Sequence, residues 1–209
     1  MSLFITFEGG EGSGKGVQTR ALYRRLVRSK IRAILVHEPG STPVGERMTR
    51  LLKWANDTNI SPLTELMLFN ASRAQLVDEV IRPALKEGKV VVCDRYADST
   101  TAYQGYGRGL DIKTIKHVNS IATGGLKPDL TVLLDIKPEQ AFKRIESRQK
   151  DRFENEKKAF HQRVREGFLT LAQEEPQRWL VIDASLPESE LGQIIWEKVN
   201  ILIPKRAGK

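Results

Sequence analysis

Five short apolar runs punctuate this chain, at residues 3–7, 33–36, 90–93, 130–134 and 179–182. They are largely continuous and do not alternate apolar with polar residues, as a strand with one wet face would. Between and after them lie segments with helical spacing. Strands that read as continuous hydrophobic runs are buried on both faces, and strands separated by helices pair in parallel. The pattern predicts an α/β fold in three layers, with a five-stranded parallel sheet in the middle. The 209 residues suffice for one such domain and would be tight for two.

Start and stop signals support the alternation. Residues 14–29 have helical spacing, with Val17, Leu22, Leu26 and Val27 as the apolar face. Residues 43–55 also read as helical. Ser61 followed by Pro62 is an N-cap and first-turn pair. It opens a longer helix through Leu66, Phe69 and Leu76, which Pro83 should kink or restart. Further helices are expected over 111–122, stopped by Gly124-Gly125, and over 138–148, 160–172 and 189–201. Residues 149–156 are polar and charged and read as a loop; 204–209 form a short basic tail.

In parallel sheets ligands bind beyond the C-terminal ends of the strands, and the unusual residues of this chain cluster there. Gly9-Gly10-Glu11-Gly12-Ser13-Gly14-Lys15 follows the first strand and opens the first helix. The glycines let successive backbone N–H groups turn toward one anion, and the helix dipole adds positive potential. The lysine then reaches the outer phosphates of a nucleotide. This is the setting of a P-loop. The next residue is Gly16, where serine or threonine usually supplies a Mg²⁺ ligand; water and carboxylates are expected to take over.

Asp94-Arg95-Tyr96 closes the third strand. A carboxylate there can order metal-bound water, and an arginine can clamp a phosphate with two N–H groups. Residues 99–105 add hydroxyls, an amide and an aromatic ring. Phe69 and Arg73 lie four apart and so share a helix face. They read either as a base-stacking ring with a base-reading arginine, or as a core aromatic with a surface charge. The net charge of +8 fits nucleic acid or small polyanionic substrates equally well. There is no guanine-reading Asn-Lys-x-Asp and no RNP-like aromatic motif.

Other residues narrow the class. The single cysteine, Cys93, sits in a valine run and reads as a buried strand residue, in keeping with a reducing cytoplasm. His37, His117 and His161 have no metal-ligand spacing, and the last two read as helix-surface residues. No apolar run approaches the roughly 20 residues of a membrane helix. The N-terminus enters a strand at once, without a basic region or cleavage site, so no signal peptide is expected.

Several motifs occur here in the order found in thymidylate kinases. They are Glu8-Gly9 with the P-loop, Glu38-Pro39-Gly40, Asp94-Arg95-Tyr96, residues 99–104, Gly107-Arg108-Gly109, Pro128-Asp129-Leu130 and Asp151-Arg152-Phe153-Glu154. The chain resembles the bacterial members of that family from Phe4 to about Asp183. The resemblance implies transfer of the γ-phosphoryl group of ATP, with Mg²⁺, to dTMP, in a cytoplasmic homodimer. It implies that Gly9, Gly10, Glu11, Gly12, Ser13, Gly14, Lys15 and Gly16 hold ATP, with Arg144 against adenine. It assigns Arg95, helped by Asp94, to the dTMP phosphate, and Phe69 to stacking on thymine. Arg73, Thr100 and Gln104 would read the base, with Glu38 and Ser99 in the same site. Tyr103 would crowd the 2′ position, and Glu11 would approach the 3′-hydroxyl. Asp94 and Glu11 are the candidate carboxylates on the metal side, through water. A cis peptide is expected at Glu38-Pro39, and His37 stands where many members have arginine.

The P-loop holds Glu11 and no arginine, so the cations that stabilise transfer must come from elsewhere. Arg144, Arg148, Lys150 and Arg152 cluster at a candidate lid, about 148–156. Closing it would exclude water from the reaction. The expected catalytic set is Lys15, Asp94, Arg95, Arg148 and Arg152. Two rival readings stand beside it. One is a kinase for UMP, CMP or a modified deoxynucleotide; the other is a P-loop ATPase acting on nucleic acid.

Overall fold

The middle strand of the sheet is the first in sequence. In the computed structural model, which describes residues 2–55, 58–146 and 150–203, β1 (Leu3–Glu8) lies between β3 (Val90–Asp94) and β4 (Leu130–Asp135). β2 (Ala33–His37) and β5 (Trp179–Asp183) form the edges, giving the order β2-β3-β1-β4-β5. All four pairings are parallel, with Ile5 opposite Val92 on one side and Leu130 on the other. The expected sheet and its five strands are therefore present. Because the chain leaves β1 for one side of the sheet and later builds the other, a crevice opens at the C-terminal end of β1.

The strands are apolar on both faces because helices cover both. Leu3, Ile5 and Phe7 alternate toward a layer of α1 (Lys15–Arg28) and α9 (Glu188–Leu202), where Leu22, Leu26, Leu191, Ile195 and Val199 meet them. Val17 and Val27, expected on that face, are exposed instead. Phe4, Val91 and Cys93 point the other way, against Leu76, Val77 and Ile81. A third cluster joins Leu133 to α8 (Lys158–Glu174) through Phe160, Val164, Phe168 and Leu171, with Tyr103 and Phe153 at its rim. Truncating a fully buried ring such as Phe7 to alanine would cost about 3–5 kcal/mol.

Helix ends follow the local chemistry. The Thr42 side chain caps α2 (Pro43–Trp54), and the Ser61 side chain accepts from the Thr64 N–H to cap α3 (Pro62–Leu76). Pro83 brings no N–H to the helix ladder; the chain passes through one π-helical turn, Val77–Ile81, and resumes as α4 (Arg82–Lys86). Beyond β3, α5 (Ala97–Thr100) runs into a π-helical stretch, Thr101–Gly107. Asp111 caps α6 (Ile112–Thr123), which Gly124 closes in a left-handed conformation. The helix expected over 138–148 is shorter: α7 (Pro138–Lys143) gives way to a turn.

Candidate active site

The first βα connection forms a cradle. Gly9 has φ +142°, and a Cβ there would lie 2.6 Å from the Leu134 carbonyl; Gly12, at φ +69°, would drive one into the Ala141 carbonyl. Only glycine allows the loop to sit this close to β4 and α7. Gly14 caps α1 without a side-chain hydrogen bond, which leaves N–H groups at the helix start for a ligand. Lys15 folds over the loop, and its Nζ donates to the Gly9 and Gly10 carbonyls (2.9 and 2.7 Å) and to Ser13 Oγ (3.3 Å). Burial, aided by the nearby Arg95 charge, lowers its pKa to about 8. Beside it, a Cβ on Gly16 would stand 3.4 Å from Asp94 Oδ2 and 3.1 Å from an Arg20 nitrogen. Asp94 and Arg20 thus flank the space where a serine or threonine side chain would begin.

A broad cleft is lined by this loop, Asp94, Arg144, Ala184, Leu186 and Pro187. Arg144 lines this cleft and donates to the Ala184 carbonyl at 2.9 Å. A second, smaller pocket of about 420 Å³ lies on the other side of Glu11 and Arg95. Phe69, Tyr103 and Phe153 line it, with Arg73, Thr100, Gln104, Ser99 and Glu38. The residues expected to bind the acceptor therefore surround one pocket. Phe153 is an addition to them, its ring 5.6 Å from that of Phe69.

Arg95 stands where the two spaces meet. It adopts φ +71°, and its guanidinium donates to the Gly9 carbonyl (3.2 Å), Ser99 Oγ (3.1 Å), Glu11 Oε1 (2.6 Å) and the Tyr103 hydroxyl (3.1 Å). The Tyr103 hydroxyl in turn donates to Glu11 (2.7 Å). Burial pushes the Glu11 carboxyl up, but the charges of Arg95 and Lys15 and the Tyr103 hydrogen bond outweigh it and hold it well below the usual carboxylate range. Beneath them, Glu8 accepts from the Tyr96 N–H (2.8 Å) and from Ser99 Oγ (2.5 Å). Burial and neighbouring Asp98 raise Glu8 to about 8.

Arg73 is fully buried, at 1% exposure, which excludes the surface-charge reading. It bonds Glu38 Oε2 (2.8 Å), the Asn70 and Asn119 side-chain oxygens (3.1 and 2.9 Å), the Tyr96 carbonyl (3.3 Å) and Thr100 Oγ1 (2.7 Å). Glu38, before the cis peptide to Pro39, has its other oxygen buried without a protein partner. Burial outweighs the Arg73 charge there and raises its pKa.

The described part of the candidate lid, residues 150–156, is docked on the acceptor side. Arg152 donates to the Leu52 carbonyl (2.8 Å) and pairs with Glu65 (2.7 Å), and it lines neither of the two cavities described above. Glu65, fully buried, also accepts from Gln104 (2.7 Å) and Arg108 (3.1 and 3.2 Å). Arg108 reaches on to Glu156. Arg148 lies outside the described residues. His161, expected on a helix surface, is instead buried against Phe142 and Phe160, and burial lowers its pKa. It is α7, through Phe142, that covers this position, whereas the apolar spacing of α8 marks the face of Phe160 and Val164 that joins the aromatic cluster.

A parallel sheet whose first strand opens into a phosphate loop, with a donor cleft joined to a small aromatic pocket through one arginine, defines a P-loop phosphotransferase for mononucleotide acceptors. The model of one family, thymidylate kinase, matches residues 7–195. A thymidylate kinase of Dehalococcoides mccartyi is 58% identical over 97% of this chain and 98% of its own length. One of Deinococcus radiodurans is 50% identical, covering 95% and 96%. The crystal structure of thymidylate kinase from Ehrlichia chaffeensis superposes with a TM-score of 0.76 at 32% identity, covering 97% of this chain and 99% of that one. The chain belongs to the thymidylate kinase family.

Proposed function

We propose that this chain catalyses transfer of the γ-phosphoryl group of ATP to dTMP, releasing ADP and dTDP. The observation that carries the reading is the junction itself: Arg95 and Glu11 line both the P-loop cleft and the aromatic pocket. Two phosphates held from opposite sides meet there, so direct in-line transfer needs position and charge and no covalent intermediate on the protein.

The geometry supports the following roles. The P-loop N–H groups and Lys15 hold the ATP phosphates, with Lys15 exchanging its loop carbonyls for phosphate oxygens. Arg144 covers the adenine end. Arg95 exchanges Glu11 for the dTMP phosphate. Phe69 and Phe153 flank the thymine, and Arg73, whose five N–H groups are engaged by Glu38, Asn70, Asn119, Tyr96 and Thr100, exchanges one of these partners for a base carbonyl. Gln104, its amide nitrogen committed to Glu65, offers its oxygen. Tyr103 bounds the sugar side and favours deoxyribose. Among the described residues no group of three histidine, cysteine or carboxylate side chains is placed to hold a metal. The single carboxylate of Asp94 beside Gly16 fits Mg²⁺ that arrives on the nucleotide and keeps most of its waters. When bound, Mg²⁺ neutralises charge on the β- and γ-phosphates. Glu11, released when Arg95 takes the dTMP phosphate, stands with Asp94 as a carboxylate on the metal side, through water.

The reading includes one domain, with residues 148–156 as a lid whose Arg148 and Arg152 come to the transferring phosphate when it closes. It also includes a homodimer in the cytoplasm. Leu63 and Met67 of α3 and Ile121 of α6 are exposed apolar side chains on packed helices and would be covered by a second copy. Sedimentation at twice the 23.6 kDa chain mass is expected. No helix among the described residues is long and apolar enough to cross a membrane. The deciding experiment measures ADP release from MgATP with dTMP, dUMP, UMP, CMP or single-stranded DNA. Fast release with dTMP, with dTDP as product, supports the reading. Release with another monophosphate only, or stimulation by DNA, overturns it.

A further inference from the structure

Among the described residues, four side chains line both the donor cleft and the acceptor pocket: Glu11, Lys53, Arg95 and Asp151. They are joined as two ion pairs. Arg95 binds Glu11 at 2.6 Å, and Lys53 at the end of α2 faces Asp151 at 3.5 Å. Any phosphoryl group passing between the two cavities passes between these pairs. Arg95 is already assigned to the acceptor phosphate, and Lys15 to the donor. Of the other nearby guanidinium groups, Arg152 is tied to Glu65 and the Leu52 carbonyl and Arg144 to the Ala184 carbonyl, while Arg20 lines the donor cleft and not the acceptor pocket.

Lys53 differs from all of these. Among the described residues its one ion-pair partner is Asp151, beyond the range of a strong hydrogen bond, and its side chain is 33% exposed. It also borders the side opening that holds Arg20 and His37. A flexible four-carbon stem lets the ammonium follow a moving charge. Its charge already reaches Glu11. Asp151 is held in place from its other side, where Oδ1 accepts from the Phe153 and Glu154 N–H groups (2.9 and 3.0 Å). The acid is therefore fixed, and the lysine is the movable member of the pair.

We propose that Lys53 is a further catalytic residue, which leaves Asp151 and donates hydrogen bonds to the γ-phosphoryl oxygens during transfer. The proposal rests on the dTMP kinase reading. An acceptor phosphate oxygen forms the new bond to the γ-phosphorus. The bond from that phosphorus to the β,γ-bridging oxygen breaks, and its electron pair leaves with ADP. Lys53 gives and takes no proton; it offsets charge that a P-loop without arginine leaves uncovered.

The test compares wild type with Lys53→Met and Lys53→Arg. Lys53→Met should lower kcat about a hundredfold, the scale of losing one preorganised donor to a developing oxyanion. The KM values for ATP and dTMP should stay within about threefold, because the interaction belongs to the transition state. Lys53→Arg should recover most of the rate. A second readout needs no turnover: affinity for a compound joining adenosine and thymidine through five phosphates should fall more than tenfold in Lys53→Met, against less than about threefold for either mononucleotide. The melting temperature should barely move, because the side chain is partly exposed. A kcat within threefold of wild type, or equal losses for the joined compound and the separate nucleotides, overturns the role of Lys53. A wild-type enzyme that neither turns over dTMP nor binds the joined compound overturns the underlying reading instead.

Discussion

Replacing Arg73 with methionine keeps most of the side-chain length and deletes the guanidinium. The wild-type group makes five hydrogen bonds and pairs with Glu38, both side chains being at most 3% exposed. Removing one partner of such a pair leaves a buried carboxylate uncompensated, at a cost of about 3–5 kcal/mol. The amide oxygens of Asn70 and Asn119 also lose their donor. Water from the adjoining pocket can replace it, so no further penalty is added. For a domain of this length each kcal/mol lowers the melting midpoint by about 2–4 °C, which gives a fall of roughly 10 °C. Urea unfolding at pH 7, followed by fluorescence of Trp54, Trp179 and Trp196, reads the change. Glu38 supplies an internal check. Its pKa is already raised by burial and rises further once Arg73 is gone. Protonation then relieves the variant, so the gap to wild type should narrow as pH falls from 7 to 5. Adding Glu38→Leu should recover part of the loss at pH 7. A destabilisation below about 1 kcal/mol, or a gap that widens in acid, would refute the picture of a buried pair fixed ahead of ligand binding.

Further outcomes can be checked with standard assays. Lys15→Met should lower turnover at least a hundredfold with the fold intact by circular dichroism, since its charge is needed at the donor phosphates. Tyr103→Phe removes the hydroxyl that ties Arg95 to Glu11; kcat/KM for dTMP should fall about tenfold, and the preference for dTMP over its ribose counterpart should shrink. Arg152→Ala should lower kcat far more than it weakens dTMP binding, and unchanged turnover would confine Arg152 to holding the 150–156 segment against Glu65. Glu8 has a folded pKa of about 8 against an ordinary 4.5, so its stabilising contribution is complete below the ordinary value and lost as pH rises through 8. Glu8→Gln should flatten stability between pH 5 and 9, and an unchanged pH slope would show that Glu8 does not titrate there.

The sheet was legible because its strands are buried on both faces, and such burial leaves a local mark in every apolar run. The phosphate loop was legible because few residues other than glycine can make that turn beside β4. The spacing of Phe69 and Arg73 placed them on one face, but whether that face was wet depended on Glu38 and Asn119, distant in sequence. The π-helical stretch Thr101–Gly107 escaped notice because its hydroxyls and glycines carry no helical periodicity; packing against α8 shapes it. Lys53 looked like any solvated lysine near a helix end. Its place between two cavities follows from where α2 meets the 150–156 segment, and no local pattern encodes that meeting. Glu65 gave no sign either, since its three partners come from other helices and the lid.

The residues at the junction come from four separate stretches of chain: the loop after β1, the end of α2, the loop after β3 and the segment before α8. Each stretch is set in place by a different layer contact around the central strand. A fragment carrying the phosphate loop alone would keep the most recognisable motif and lose the reaction. Substrate pairs that bridge both cavities should therefore act as a fastener across the whole domain, raising resistance to proteolysis at sites far from the ligand as well as near it. In this molecule catalysis and global cooperativity are two readings of the same crossing point.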